Sequence, residues 1–298
     1  MLVAAEVTDA NPQGASPAAI ANTHANAADK GTNNLPAVGL ELKETVVRAK
    51  RFYQIGPMPG LGLTKEEIPG NVQSITAKEI KESHALSLTD LMNSHLQSVN
   101  VNDYQSNPFQ MDVTYRGFTA SPQLGTAQGL SVFLDGIRVN EPFGDVVNWD
   151  MIPLNALGGL DVFPGSNPIF GLGTLGGAIS MRTKSGFSDT GGSGEVLIGS
   201  FGRKQFQGSY GANNDVIAGF ISANLFMEDG WRKNSPSRVN QLFGKAEWRN
   251  EKLQLGLSAL FAGNKLVCNG LLPSEVASQN PAKTQPMYLH HQIQLKIN

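Results

Sequence analysis

The spacing of apolar and polar side chains changes character near Gly186. Beyond it the period is two. Leu242, Gly244, Ala246 and Trp248 alternate with Phe243, Lys245, Glu247 and Arg249. Leu253, Leu255, Leu257, Ala259 and Phe261 alternate with Gln254, Gly256, Ser258, Leu260 and Ala262, and Ile293, Leu295 and Ile297 with Gln292, Gln294 and Lys296. Successive side chains of a strand point to opposite faces, so each segment carries one greasy and one polar face. Strands are predicted near Glu195–Phe201, Lys204–Gly211, Val216–Glu228, Arg238–Arg249, Leu253–Gly263 and Tyr288–Asn298. Short connections at Gly211–Asp215 and Asn250–Glu251 contrast with a long one from Asn264 to Pro286. Strands with lipid outside and an aqueous lumen inside have this texture. A soluble sheet with one wet face has the same alternation.

Before Gly186 the signals are mixed. Val72–Ile75 reads as a strand, and Thr76 with Glu79 forms a capping box that opens a short helix. Ser87 with Asp90 opens a second helix, with Leu88, Leu91, Met92 and Leu96 on its buried side. Val99–Val101, Val113–Tyr115, Ser131–Leu134 and Leu160–Phe163 follow as strands. The result is a small α+β domain with a mixed sheet. Glu6 to Pro36 is poor in large apolar groups and is expected to be disordered. Met1 to Ala5 supplies only Leu2-Val3-Ala4-Ala5, with no Lys or Arg before Lys30, so a secretory leader is expected to be missing or its start misplaced, with a cytoplasmic chain as the alternative. The expected division is 1–39 disordered, 40–185 α+β, and 186–298 strands.

Composition narrows the field. Charged residues are 16% of 298, against roughly 25% in soluble domains, and there are 33 glycines. The net charge of -2 gives no basic surface for nucleic acid. A single cysteine, Cys268, excludes an internal disulfide and a cysteine-based metal site. Among five histidines, His290 and His291 are adjacent, so on a strand they face opposite ways and cannot share an ion. No apolar run reaches the ~20 residues of a membrane helix, but barrel strands need only ~9–11. Gly171, Gly173 and Gly176 form a G-x-G-x-x-G. A dinucleotide site needs a helix after these glycines, whereas Ala178–Thr183 is a β-like run. No nucleophile–base set stands out, so an enzyme is not expected, and neither a cofactor nor a resident metal is.

Five segments in order carry a resemblance: Val113–Phe118, Val132–Val139, Ile152-Pro153, Gly159–Gly165 and Gly176–Ser180. Together they resemble the plug domain of TonB-dependent outer-membrane receptors, over about Leu40 to Lys184. Leu160 and Asp161 stand where the family often has isoleucine and glutamate. The resemblance implies an α+β plug domain followed by antiparallel β-strands of an incomplete transmembrane β-barrel, in the outer membrane of a Gram-negative cell. It implies uptake of an iron chelate (siderophore) or a similar scarce nutrient, with the periplasmic TonB protein and outer-membrane lipid as partners. A TonB box is expected at Glu44, Thr45, Val46 and Val47, which would add as a strand to the partner's sheet; an ordinary first plug strand is the other reading. The resemblance implies that Arg116 matches a plug arginine that faces barrel carboxylates, with Glu247 a candidate partner; a hydrogen-bond role within the plug is the other reading. Gly117 beside it and Asp135, in an Asp-Gly turn, complete the expected plug–barrel contacts. Asn107, Phe109, Gln123, Gln128 and Trp149 are the ligand-binding candidates. Plugged transporters use about 22 strands, and an open sheet in lipid leaves unpaired backbone groups. Six strands therefore predict the N-terminal part of a receptor. The alternative is a soluble extracytoplasmic ligand-binding α+β module.

Overall fold

A computed structural model describes residues 2–9, 70–167, 170–250, 253–269 and 272–283. The first strand, β1 (Leu2–Asp9), is followed by the plug elements β2 (Gln73–Thr76), α1 (Ala77–Ser83), α2 (Leu88–His95), β3 (Val99–Asn102), β4 (Asp112–Tyr115), β5 (Phe118–Ala120), β6 (Leu130–Leu134), β7 (Ile137–Arg138), β8 (Leu157–Pro164) and β9 (Gly177–Thr183). The wall strands are β10 (Gly191–Ile198), β11 (Lys204–Asn213), β12 (Ile217–Glu228), β13 (Ser237–Arg249), β14 (Leu253–Ala262) and the short β15 (Lys265–Leu266), before helix α3 (Ser274–Gln279).

The capping box forms as the residues dictate. The Thr76 hydroxyl accepts from Glu79 N, and the Glu79 carboxylate accepts from Thr76 N at 2.7 Å. The Ser87 hydroxyl caps α2, whose Leu88, Leu91 and Met92 are buried. A five-stranded sheet, ordered β2-β8-β9-β6-β7, is antiparallel except where β6 and β9 run parallel. A three-stranded sheet, β3-β4-β5, stands beside it. Both helices pack on a dry core that includes Leu91, Val113, Leu130, Leu160 and Met181. Two hairpins close in the same way: Arg116-Gly117 has φ of 50° and 86°, and Asp135-Gly136 has 47° and 79°. Two positive φ values are the signature of the tight turn that matches strand twist, which explains glycine at the second place of each.

Gly171 and Gly173, with φ of 80° and 78°, lead into a strand, β9, and not a helix. The phosphate-binding geometry is therefore absent, and these glycines serve the turn before β9.

The wall strands form a seven-stranded sheet, ordered β1-β14-β13-β12-β11-β10 with β15 paired to β13. Along β12, Ala218, Phe220, Ser222, Asn224, Phe226 and Glu228 are buried, while Ile217, Ile221, Leu225 and Met227 are exposed. The same split puts Leu242, Trp248, Leu255, Leu257 and Phe261 on the outer face. The sheet covers the plug with its mixed face and turns its greasy face out, as a barrel wall does.

Part of the segment expected to be disordered is ordered. Leu2–Asp9 pairs antiparallel with β14, from Leu2 opposite Leu260 to Asp9 opposite Leu253. The physical reason is the open edge of β14, whose free backbone groups accept another strand. The rest of 10–39, the proposed TonB box at 44–47, the glycine- and proline-rich 51–68 and the last predicted strand, with His290 and His291, lie outside the described residues. The long connection after β14 holds α3, which the turn signals did not announce.

Candidate functional site at the plug–wall seam

Polarity along the seam follows from the connections. One end of the wall carries the short connections between β11 and β12 and between β13 and β14, the other the connections at 199–203 and 229–236 and the residues that follow β14. The plug loop 103–110 meets the wall at the long-connection end. Asn107 is fully buried and donates from Nδ2 to Ser237 Oγ on β13 at 2.8 Å. Phe109 sits edge-on to Phe226 of β12, with ring centroids 4.9 Å apart, beside Val239. Arg232 in the 229–236 connection donates to Ser106 Oγ of the plug loop and to Lys283 O, 3.1 Å away. Asn269 completes the knot: its N–H donates to Gln105 O at 3.1 Å, and its Nδ2 to Lys233 O at 2.9 Å.

In the middle of the seam a row of side-chain amides crosses the wall. Gln205 Nε2 donates to Asn224 Oδ1 (3.0 Å), Asn224 Nδ2 to Gln241 Oε1 (2.8 Å), and Gln241 Nε2 to the main-chain oxygen of Asp150 (2.6 Å). The Asp150 carboxylate, 1% exposed, accepts from Gln110 Nε2 at 3.0 Å and from Asn264 Nδ2 at 2.9 Å. Burial raises its pKa, and the amide donors only partly oppose that. Asn155 of the plug reaches the wall's backbone, donating to Ala223 O at 2.9 Å and Gly208 O at 3.4 Å.

At the short-turn end the links are charged. Lys245 Nζ on β13 lies 3.3 Å from Asp135 Oδ2, with both side chains largely buried. Thr183 joins both: its N–H donates to Asp135 Oδ1 at 2.8 Å, and its hydroxyl accepts from Lys245 at 3.2 Å. Ser185 donates to Glu247 Oε2.

These positions sort the residues predicted from sequence. Asp135 is a plug–wall contact, made by its side chain with Lys245 as well as by its turn. Arg116 is not brought to the wall: it occupies the β4–β5 turn, exposed, its guanidinium 5.3 Å from the Tyr115 ring centroid, and Gly117 beside it is exposed too. Glu247 is held by Ser185 instead. Asn107 and Phe109 bind the wall and present no free face to a ligand. Gln128 braces the plug: its Oε1 accepts from Ser121 N at 2.9 Å, and its Nε2 donates to Ser121 O (3.2 Å) and weakly to Gln123 O (3.5 Å). Gln123 donates its N–H to Ser121 Oγ. Trp149, 3% exposed, packs in the plug core. Sequence reasoning missed Lys245, Asp150, Asn155 and the amide row; Gln205, Asn224 and Gln241 on inward positions of successive strands were the available signal. Among the described residues no cluster of metal-ligating side chains is present.

The fold is a domain with a mixed sheet seated on antiparallel strands whose apolar face points outward. The family model "TonB-dependent Receptor Plug Domain" matches residues 64–178, and the chain carries that domain. Solved structures similar in fold include the ferric citrate transporter FecA in its unliganded form, with a TM-score of 0.59 and 16% identity over 74% of this chain and 35% of that one. The ferric-catecholate import receptor Fiu of E. coli K12, in its open form, has a TM-score of 0.59 and 18% identity over 74% and 31%. The ferric yersiniabactin uptake receptor FyuA of Yersinia pestis has 0.54 and 13% over 67% and 32%. The chain thus spans roughly a third of the length of these receptors. No curated protein matches it by sequence.

Proposed function

We propose that this chain is the plug and adjoining wall of a receptor that takes up an iron chelate or a similar scarce nutrient across the outer membrane, drawn by TonB through the segment Glu44–Val47. The observation that carries this reading is the sheet's two-facedness: one face holds the plug through Asn107, Asp135 and Asp150, while the other exposes Ile221, Leu225, Leu242 and Leu257. A soluble binding module gains nothing from such an outer face, which in water would be a large exposed apolar patch. Among the described residues the plug–wall links are mostly hydrogen bonds, the Lys245–Asp135 pair and the His84–Glu195 contact, with two small apolar clusters in place of a continuous apolar core, which suits a domain that must be displaced under pull. The resemblance to receptors whose names specify ferric citrate, ferric catecholate and ferric yersiniabactin supports an iron chelate as cargo.

The test uses single-tryptophan variants of the full chain refolded into vesicles with brominated acyl chains. Trp248, on the outer face, should be quenched strongly, and Trp149, in the plug core, should not. Equal quenching of the two, or quenching of neither, rejects the membrane wall. Capture of the chain by the periplasmic domain of TonB, lost on Val46→Pro, tests the box; capture unaffected by that change rejects it.

A further inference from the structure

Three cations share one row of the wall's outer face. Lys204 on β11 stands opposite Met227 on β12, Met227 opposite Arg238 on β13, and Arg238 opposite Lys265 on β15. Residues directly opposite in an antiparallel pair share a face, and these four side chains are exposed. Gln205 and Ser237, the neighbours of Lys204 and Arg238 in sequence, are buried on the inner face, as strand alternation requires. Among the described residues no other outward position of β10 to β15 carries a charge.

The row lies at the end of the wall that carries the connections at 199–203 and 229–236. Below it, the outward positions of β12 run uncharged from Met227 to Ile217. At about 3.4 Å per residue and a strand tilt of about 40°, that stretch is about 26 Å tall, close to the ~25 Å of a barrel's apolar band. The row therefore sits where hydrocarbon gives way to headgroups, and the longer connections put this rim outside the cell. None of the three cations has a carboxylate within 4 Å among the described residues. Of the acids at this rim, Glu228 is buried and held by Arg203 at 3.1 Å, and Asp229 lies against Gly202. Like charges directly opposite on neighbouring strands are unfavourable, as Arg238 and Lys265 are, and an anion between them turns that repulsion into attraction.

From Lys204 to Lys265 the row crosses three strand spacings, about 14 Å at about 4.8 Å each. A headgroup with a single phosphate engages only part of that length, whereas two phosphates on one sugar frame reach both ends. We propose that this row binds the headgroup of a phosphorylated glycolipid in the outer leaflet. One phosphate is held by Arg238, whose planar fork suits it, together with Lys265, and a second by Lys204. The acyl chains lie along the uncharged positions below. The inference rests on the reading of this sheet as a membrane wall.

The probe is lipid A, whose disaccharide carries a phosphate at each end, titrated calorimetrically into the full chain in zwitterionic detergent. One saturable site is expected. Arg238→Gln should weaken it roughly tenfold, and Lys265→Gln and Lys204→Gln several-fold each. Lys78→Gln, on α1 of the plug, should leave the affinity unchanged. Lipid A stripped of one phosphate, and phosphatidylglycerol, should bind the native chain several-fold more weakly, a comparison that needs no substitution. Absence of saturable binding, an unaltered affinity in Arg238→Gln, equal weakening by Lys78→Gln, or phosphatidylglycerol binding as tightly as lipid A overturns the proposal. Quenching of Trp248 by brominated lipid without a lipid A site removes this inference alone, whereas an unquenched Trp248 removes the membrane wall and this inference with it.

Discussion

The plug interior and the plug–wall seam are built on opposite principles. Inside the plug, Leu91, Met92, Val113, Leu130 and Leu160 are sealed from solvent and held by dispersion and apolar burial. Along the seam, apart from Phe109 on Phe226 and the small cluster of Ala156, Phe220, Phe243 and Leu260, the contacts among the described residues are mostly amides, hydroxyls, the Lys245–Asp135 pair and the His84–Glu195 contact. The apolar effect is non-directional and grows with area, so the interior resists any opening. Hydrogen bonds have water as a ready substitute and contribute on the order of 1 kcal/mol net each. The seam should therefore open before the plug interior does.

The contrast can be broken in graded steps. The largest effect belongs to the interior: Leu91→Ala should lower the plug's unfolding free energy by about 3 kcal/mol, read by chemical denaturation. A loss below about 1 kcal/mol would mean that the interior is loosely packed. Next comes Lys245→Met, which leaves Asp135 partly buried with only Thr183 as partner. It should loosen docking by about 2 kcal/mol while the plug's own unfolding stays put. Proteolysis of the plug separated from the wall reads the difference, and equal shifts in both would abolish the distinction drawn here. Gln241→Leu, which cuts the amide row between Asn224 and Asp150, should cost about 1 kcal/mol in docking.

The smallest effect is the sharpest in sign. Burial raises the Asp150 pKa, so the folded state binds this proton more tightly than the unfolded chain does. Its stabilising contribution is whole below the ordinary carboxylate value and fades as pH rises through the raised one. The melting temperature of the native chain minus that of Asp150→Asn should therefore fall as pH rises through this window. A difference that is flat or rises with pH would mean the carboxylate is better solvated than its burial indicates.

The order of elements was legible because its causes are local. Thr76 with Glu79 and Ser87 with Asp90 announce helices by what their side chains do to nearby amides. Asp135-Gly136 announces a turn by what glycine permits. The in–out alternation from Leu242 to Trp248 follows from strand geometry alone. The seam was not legible in the same way. Asn107 and Phe109 looked like ligand-facing loop residues because nothing local says that Ser237 and Phe226, over a hundred positions on, will cover them. Arg116 looked like a plug-to-wall arm, but its place in a two-residue turn fixes its direction toward Tyr115. Asp135 was found through its turn, while its partnership with Lys245 depends on where the sheet comes to rest. Sequence period gives the face of each strand, but not what docks against it.

Asn155 grips the wall by Gly208 O and Ala223 O, which are main-chain atoms that every residue possesses. Substitutions at those two positions leave the gripped oxygens in place, so the lining around this peg can drift in composition without working it loose. The opposite holds for the peg itself: aspartate in its place would bring a charge and no donor to the same two carbonyls. Variation should therefore accumulate on one side of this contact and stall on the other.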